Sequence, residues 1–231
     1  MISDFFYVVF YQPLFNLLVF FYNTFGDLGV AVALVTLIVK GILYPISAKA
    51  TKSQQALKEI QPKVKELQEE YKDDKEKQAE KVLELYNKEG VSPFSGIFPL
   101  FIQFPVIIAL FQIFRRGLGA GELVHLYNFV NNPEVVEYLS FGILDLSEPN
   151  IILAVLAGMG QFIQVRITMP SSEDSEDSEE KKGLGSIMKS QMKFVLPIFT
   201  VFILSSLPAA VGVYWVITVI FSIFQHKMIK K

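Results

Sequence analysis

The sequence predicts an all-α integral membrane protein with five transmembrane helices, an interfacial helix on the outer surface and a cytoplasmic helical hairpin. Three observations predict this class. Of the 231 residues 52% are apolar, the mean hydropathy is +0.40, and the charged residues are grouped between long uncharged runs. A hydrocarbon core of about 30 Å requires roughly 20 helical residues, so these runs have the length of membrane spans.

The first three spans follow from runs with few or no charges. Uncharged residues fill 28–46 apart from Lys40, and the runs 94–114 and 149–165 contain no charge. The predicted spans are 26–47, 93–115 and 149–167.

The uncharged run 194–225 is too long for one ordinary span, since a single helix of that length would extend about 48 Å. The stretch Ser205–Pro208 near its middle is suited to a tight turn, and lysines lie at both ends of the run. Basic residues favour the cytoplasmic side, so both ends are placed there. We therefore predict two spans, 190–206 and 207–226, followed by a cytoplasmic tail at 227–231.

The distribution of the 21 Lys and Arg residues predicts the orientation. Lys40 lies within a span, Arg115 and Arg116 fall at the external end of the second span, and all the others fall on the opposite side. Because cytoplasmic segments carry the excess of basic residues, the N-terminus is predicted outside and the C-terminus inside a bacterial plasma membrane.

The N-terminal segment 1–25 is apolar enough to span, but ten of its residues between 5 and 25 are aromatic and Gln12-Pro13 interrupts it. Aromatic rings favour the headgroup region. We interpret the segment as an interfacial amphipathic helix on the outer surface. The alternative is a sixth span, which would place the N-terminus inside.

The polar segment 48–92 is predicted to form a cytoplasmic antiparallel helical hairpin. Apolar residues recur at steps of three and four, Lys72-Asp73-Asp74 is suited to a turn, and Gly90 to a helix end. Pro62 is expected to kink the first helix. A solvated coiled coil without a partner is the alternative interpretation.

Two loops complete the predicted organisation. The external loop covers 116–148, and its apolar stretches 126–130 and 138–146 are expected to lie on the membrane surface. The cytoplasmic loop 168–189 contains a low-complexity acidic stretch, which is typical of disorder.

Lys40 is the strongest candidate for a functional residue, because an ionisable group inside a span costs roughly 2.5–3.5 kcal/mol on insertion scales. Thr36 lies four residues earlier and so on the same helix face, and Gln103 adds a polar group in the second span. The cores of the predicted spans contain no acidic residue to neutralise Lys40. This pattern favours a hydrated groove with a free positive charge; the alternative is a lysine that snorkels to the interface.

Several function classes are disfavoured. The chain has no Cys, and its two His residues, His125 and His226, lie far apart in sequence. It contains no nucleophile–base set, no phosphate-binding glycine loop and no metal-ligand spacing. We expect no enzyme activity, no cofactor or metal, and no nucleic-acid specificity. A proton relay is disfavoured because the cores of the spans lack its usual carboxylates.

Several motifs together resemble the YidC family of membrane-protein insertases, in its short form without the large periplasmic domain. They occur in the family's order over nearly the whole chain: Gln12-Pro13-Leu14, Thr36–Pro45 (TLIVKGILYP), Ile60–Lys63 (IQPK), Gly90–Pro93 (GVSP), Phe98–Pro105 (FPLFIQFP), Leu196–Thr200 (LPIFT) and Val213-Tyr214-Trp215.

The resemblance implies an insertase and chaperone for nascent membrane proteins. The five spans would form a groove open to cytoplasm and lipid and closed towards the outside, lined or bordered by Lys40, Thr36, Gln103 and Trp215. The implied partners are nascent membrane proteins, the lipid bilayer, the ribosome and the Sec translocon. The family usually has Arg where this chain has Lys40, and the short tail implies a weak or tail-independent ribosome contact.

Two other functions stay open at this point. A small polytopic transporter should show inverted repeats or broken helices, and neither is evident. In a subunit that assembles a membrane complex, Lys40 would merely snorkel.

Overall fold

The structure, a computed structural model, describes residues 4–92, 98–119, 121–133, 135–168 and 184–229, without the side chains of 98–100, 102 and 184–193. The helices of this part are α1 Asp4–Phe25, α2 Leu28–Glu59, α3 Gln61–Glu70, α4 Lys75–Lys88, α5 Phe98–Arg116, α6 Ile151–Thr168, α7 Leu184–Leu204 and α8 Ala209–Ile229. A 3-10 turn, Leu123–His125, and two short strands, β1 Leu139–Ser140 and β2 Leu144–Asp145, lie between α5 and α6.

A two-residue corner, Gly26-Asp27, joins α1 to α2. Gly26 adopts φ 71°, a left-handed conformation that glycine accepts readily, and ends α1 with a hydrogen bond from its N–H to Tyr22 O. Asp27 then caps α2, because its Oδ1 accepts a hydrogen bond from Val30 N at 2.9 Å. The corner folds α1 back against α2, and the two helices pack together.

Helix α2 is longer than its predicted span. The predicted span ends at 47, and the helix continues beyond it to Glu59, with Pro45 in its interior, so that it extends about 48 Å. The expected kink at Pro62 inside a helix is wrong. The break falls at Ile60, and Pro62 stands in the first turn of α3, where its missing N–H costs no hydrogen bond.

Helices α3 and α4 lie antiparallel. Gln78 Nε2 donates to Gln68 O at 2.6 Å near the turn, and Lys63 Nζ lies 2.7 Å from Glu89 Oε1 at the opposite ends. The turn occupies Tyr71–Asp73, and Asp74 caps α4 by accepting from Lys77 N. The side of the membrane on which α3 and α4 lie stays a prediction.

Four helices of the described residues, α1, α2, α6 and α8, are long and apolar enough to cross a membrane. Helix α5 has 19 residues, and the described apolar part of α7 is the shorter stretch Phe194–Leu204. The fold is thus that of an α-helical membrane protein, while the number of five spans stays a prediction. The acidic loop predicted at 168–189 lies mostly outside the described residues, as do 93–97 at the start of the second predicted span.

The helices from α6 onward form one packed group. Helix α6 packs against both α7 and α8, and α8 also packs against α2. Gly158 of α6 permits the approach of α7, since a Cβ there would overlap the Val201 side chain and lie 3.1 Å from Pro197 O. The chain turns between α7 and α8 at Ser205–Pro208, the stretch suited to a turn in the sequence.

The main core joins α1, α2, α5, the loop between α5 and α6, and the start of α8. Its fully buried large side chains include Tyr11, Phe15, Leu18, Leu28, Val32, Leu110, Ile113, Leu146 and Tyr214. The short antiparallel pair β1–β2, with Leu139 opposite Asp145, was not predicted.

Candidate functional site

Lys40 lies on α2, well inside the apolar part of the helix, with its side chain partly buried. Its Nζ donates a hydrogen bond to Gln103 Oε1 of α5 at 2.9 Å. No carboxylate of the described residues lies within 4.0 Å of this ammonium group, whose partner is therefore neutral. An ammonium group has three N–H donors, so the bond to Gln103 leaves it able to bind further acceptors.

Gln103 continues the contact to a third helix. Its side chain is 9% exposed, and its Nε2 donates a hydrogen bond to the hydroxyl oxygen of Tyr214 on α8. The amide thus uses its oxygen towards Lys40 and its nitrogen towards Tyr214. Lys40, Gln103 and Tyr214 form one chain of polar groups across α2, α5 and α8, called the polar chain below.

Thr36 contributes less to this site than its spacing from Lys40 suggested. Its side chain is fully buried, and its Oγ1 donates to Val32 O of its own helix at 2.6 Å. A hydroxyl satisfied by the carbonyl four residues earlier is a common arrangement for threonine in a helix. The hydrogen bond of the Thr36 hydroxyl is therefore within α2 and does not reach Lys40.

Trp215 belongs to a neighbouring polar contact. Its Nε1 donates to Gln161 Oε1 of α6 at 3.2 Å, which joins α8 to α6. Successive helix residues are rotated by about 100°, so Tyr214 faces Gln103 while Trp215 faces α6. Of the four candidate residues, the structure brings together Lys40 and Gln103 directly, and it gives neither Thr36 nor Trp215 a hydrogen bond to them.

Tyr214 was not among the predicted site residues, although its motif was recognised. A fully buried tyrosine needs a partner for its hydroxyl, so a tyrosine within an otherwise apolar span is the signal that could have identified it. Periodicity alone does not say which neighbouring helix supplies the partner.

A second polar cluster lies where α1 meets the end of α5 and the loop that follows it. Tyr11 Oη donates to Glu122 Oε2 at 2.7 Å, and Arg116 Nη1 lies 3.6 Å from the same carboxylate oxygen. The Arg116 guanidinium also lies over the Tyr11 ring, at 5.3 Å from its centroid. This cluster ties α1 to the end of α5 and accounts for one basic residue on the side predicted to face outwards.

The family model of the 60Kd inner membrane protein matches residues 20–231. This chain belongs to that family. The match covers most of the sequence, confirms the resemblance drawn from the motifs, and makes the chain a multi-pass bacterial membrane protein.

Curated members of the family are similar along almost the whole chain. A membrane protein insertase YidC of Wolinella succinogenes is 33% identical over 226 residues, which are 98% of this chain and 38% of that protein. A membrane protein insertase YidC of Buchnera aphidicola is 32% identical over 222 residues, or 95% of this chain and 37% of that protein. The chain thus spans little more than a third of the length of these relatives.

A crystal structure of an active YidC insertase with its first transmembrane domain resolved has a similar fold. The TM-score is 0.60 at 25% sequence identity, and the alignment covers 94% of this chain and 46% of that one.

Proposed function

We propose that this chain is a non-enzymatic membrane-protein insertase that inserts nascent proteins and helps them fold in the bacterial plasma membrane. The observation that carries the proposal is the polar chain, in which Lys40 is held inside the helix group by the neutral amide of Gln103. The relatives named as insertases support the same function. The proposed partners are nascent membrane proteins, with the ribosome and the Sec translocon as further candidates.

A neutral partner leaves the full positive charge of Lys40 available to a substrate. Two unit charges about 4 Å apart attract by about 4 kcal/mol at an effective dielectric constant of about 20, before desolvation is subtracted. An acidic segment of a nascent chain would therefore enter the groove beside Lys40 while its apolar helix passes into lipid. Transfer of that helix into lipid and the membrane potential would drive the step without a cofactor.

We propose that α1 lies on the outer surface, although its length and composition would also allow it to span. Tyr11 contacts Glu122, Asn16 contacts the backbone of His125 and Tyr127, and Asn23 Nδ2 donates to Asn131 O at 2.6 Å. Tyr11 and Asn23 are about 18 Å apart along the helix, yet both contact the same loop. A spanning helix would meet an external loop at one end alone, so these contacts support the interfacial position.

The remaining topology follows from that placement. With α1 and the loop 117–150 outside, α3 and α4 face the cytoplasm, and the turn Ser205–Pro208 faces outwards. The exposed surface of α3 and α4 carries charges of both signs and is the proposed contact for nascent chains or their delivery machinery.

Insertion of matched substrates into proteoliposomes tests the function. One substrate has an acidic N-terminal tail and the other a neutral tail, and each is presented to the wild type, Lys40→Arg and Lys40→Leu at equal protein levels. We expect Lys40→Arg to retain insertion, because charge and reach are kept. We expect Lys40→Leu to insert the acidic substrate about tenfold less well, equivalent to about 1.4 kcal/mol, and the neutral one nearly normally.

Equal insertion of both substrates by Lys40→Leu would show that Lys40 merely snorkels. Failure of the wild type to insert either substrate would favour an assembly subunit over an insertase.

A further inference from the structure

The strand pair β1–β2 is attached to the outer ends of two long apolar helices. The Asp27 carboxylate, which caps α2, accepts hydrogen bonds from Ser140 Oγ and from Phe141 N, each at 2.7 Å. On the other side, Ala209 N and Ala210 N at the start of α8 donate to Glu148 O and Leu146 O. The hairpin is therefore held at the level where α2 and α8 both begin.

The tip of this hairpin has an unusual sequence for its conformation. Phe141, Gly142 and Ile143 join the strands, and Ile143 N donates to Ser140 O at 3.1 Å. Phe141 has φ 52° and Gly142 has φ 71°, and positive φ at both central positions is the requirement of a type I′ turn. Such turns favour Asn-Gly, because a bulky L-residue is strained in the left-handed region. The phenylalanine thus costs stability at this position.

Burial does not compensate for that strain. Phe141 is 73% exposed and Ile143 is 86% exposed, so neither side chain packs into the protein. A residue whose backbone strain is not offset by packing contacts is a candidate for a functional role. Large apolar side chains that a soluble loop would avoid also mark an interaction surface.

Further exposed apolar residues lie in the loop segments that contact the Gly26-Asp27 corner. Asn131 and Glu137 are bound by Asn23 and Tyr22, just before the corner, and the residues beside them are Phe129 (77% exposed), Val135 (73%) and Leu139 (52%). These segments therefore place an apolar surface beside the start of a long apolar helix.

We propose that the Phe141–Ile143 tip inserts into the outer leaflet of the lipid bilayer and anchors the external loop to the membrane surface. The occupant is lipid because the hairpin is fixed at the beginnings of α2 and α8, where a membrane interface would meet the protein. Aromatic side chains favour this interface, and apolar groups that lie in it reach about 5–10 Å into the headgroup and acyl boundary.

The chain contains no Cys, so a single introduced Cys can report the depth of the tip. Ile143→Cys, labelled with an environment-sensitive fluorophore, is reconstituted in phosphatidylethanolamine–phosphatidylglycerol vesicles that contain lipids spin-labelled near the headgroup or deep in the acyl chain. Asp73→Cys, at the turn between α3 and α4, is the water-exposed control, and Ile198→Cys, an exposed position of α7, is the hydrocarbon control.

We expect the label at Ile143→Cys to be quenched more by the shallow spin label than by the deep one, and the label at Asp73→Cys by neither. The same lack of quenching at Ile143→Cys would overturn the proposal. If the label at Ile143→Cys becomes less accessible to water as the protein density in the vesicles rises, and neither lipid spin label quenches it, the surface contacts a second copy of the chain. That result would also overturn the proposal.

Phe141→Asn separates lipid contact from the folding of the hairpin. Asparagine accepts the left-handed conformation, so the turn should persist, while the loss of the ring should reduce lipid quenching at Ile143→Cys. Undiminished quenching in the Phe141→Asn background would show that Phe141 does not insert. Neither measurement depends on insertase activity.

Discussion

Gln103 and Lys40, 63 residues apart in sequence, share a hydrogen bond of 2.9 Å between the amide oxygen and the ammonium group. The amide satisfies one donor of the ammonium group without cancelling its charge. Under the proposed function, the identity of residue 103 would therefore control how much positive charge the site offers to a substrate.

Gln103→Glu is expected to abolish the preference for acidic substrates while preserving the fold. The new carboxylate would lie beside Lys40 and form an ion pair, which would neutralise the site at nearly unchanged volume. We expect insertion of an acidic-tailed substrate to fall about tenfold, for about 1.4 kcal/mol, with the neutral-tailed substrate little affected. Proteoliposome insertion measures the effect.

Gln103→Leu is the matched control, because it removes the hydrogen bond and keeps the charge of Lys40. If Gln103→Glu inserts acidic substrates as well as the wild type does, the charge of Lys40 does not attract the acidic segment of the substrate.

Tyr214→Phe is expected to destabilise the protein by about 1–3 kcal/mol, because the buried Nε2 of Gln103 loses its acceptor. Thermal unfolding in detergent measures the loss. Tyr44→Phe, at a position that is 37% exposed, should leave the unfolding midpoint nearly unchanged. Equal midpoints for both variants would mean that the contact between Gln103 and Tyr214 contributes nothing to stability.

The proposed interfacial position of α1 predicts that both of its ends are accessible from the outside. Asp4→Cys and Thr24→Cys, both at exposed positions, should react with an impermeant thiol reagent added to intact cells. Ser206→Cys should react as well, whereas Lys227→Cys should react only after the membrane is permeabilised. If Asp4→Cys and Thr24→Cys react from opposite sides, α1 spans the membrane.

Gly158→Ala is expected to destabilise the contact between α6 and α7 by about 1–3 kcal/mol through overpacking, since its Cβ would overlap the Val201 side chain. Gly41→Ala is the control, because no atom of the described residues beyond the adjacent backbone of α2 lies within 4 Å of its Cβ position. Alanine is also more stable than glycine in a helix interior, by roughly 0.5–1 kcal/mol. Unfolding midpoints should move in opposite directions. A stable Gly158→Ala variant would show that the two helices can separate slightly at no cost.

The sequence predicted those site residues that can be recognised from a single segment of the chain, without knowing which segments pack together. Lys40 and Gln103 are visible as polar residues in apolar runs, and the structure brings them together. Thr36 shares the helix face of Lys40, but its hydroxyl bonds to its own backbone, and spacing does not reveal that choice. Trp215 and Tyr214 are adjacent in sequence, but their side chains face different helices. Which helix each one faces depends on the rotation of α8 about its axis, and the sequence does not give that rotation.

The fold shows the same division. The turn after α7 was predictable because Ser205–Pro208 interrupts an overlong apolar run. The strands β1 and β2 have two residues each, too few for a periodic pattern. Pro62 was assigned to a helix interior because the sequence did not show that a new helix begins at Gln61.

The contacts of α1 and of the corner that follows it also impose an order on biosynthesis. Tyr11 and Glu122 are 111 residues apart, and Asp27 and Ser140 are 113 residues apart. At a synthesis rate of about 5–20 residues per second, the loop follows α1 on the order of 10 s later. During that interval the polar groups of Gln12, Asn16 and Asn23 need water as their partner, which the membrane surface supplies and its interior does not. In the proposed orientation, the contacts between α1 and the loop 117–150 therefore form late in assembly, after α5 has been inserted.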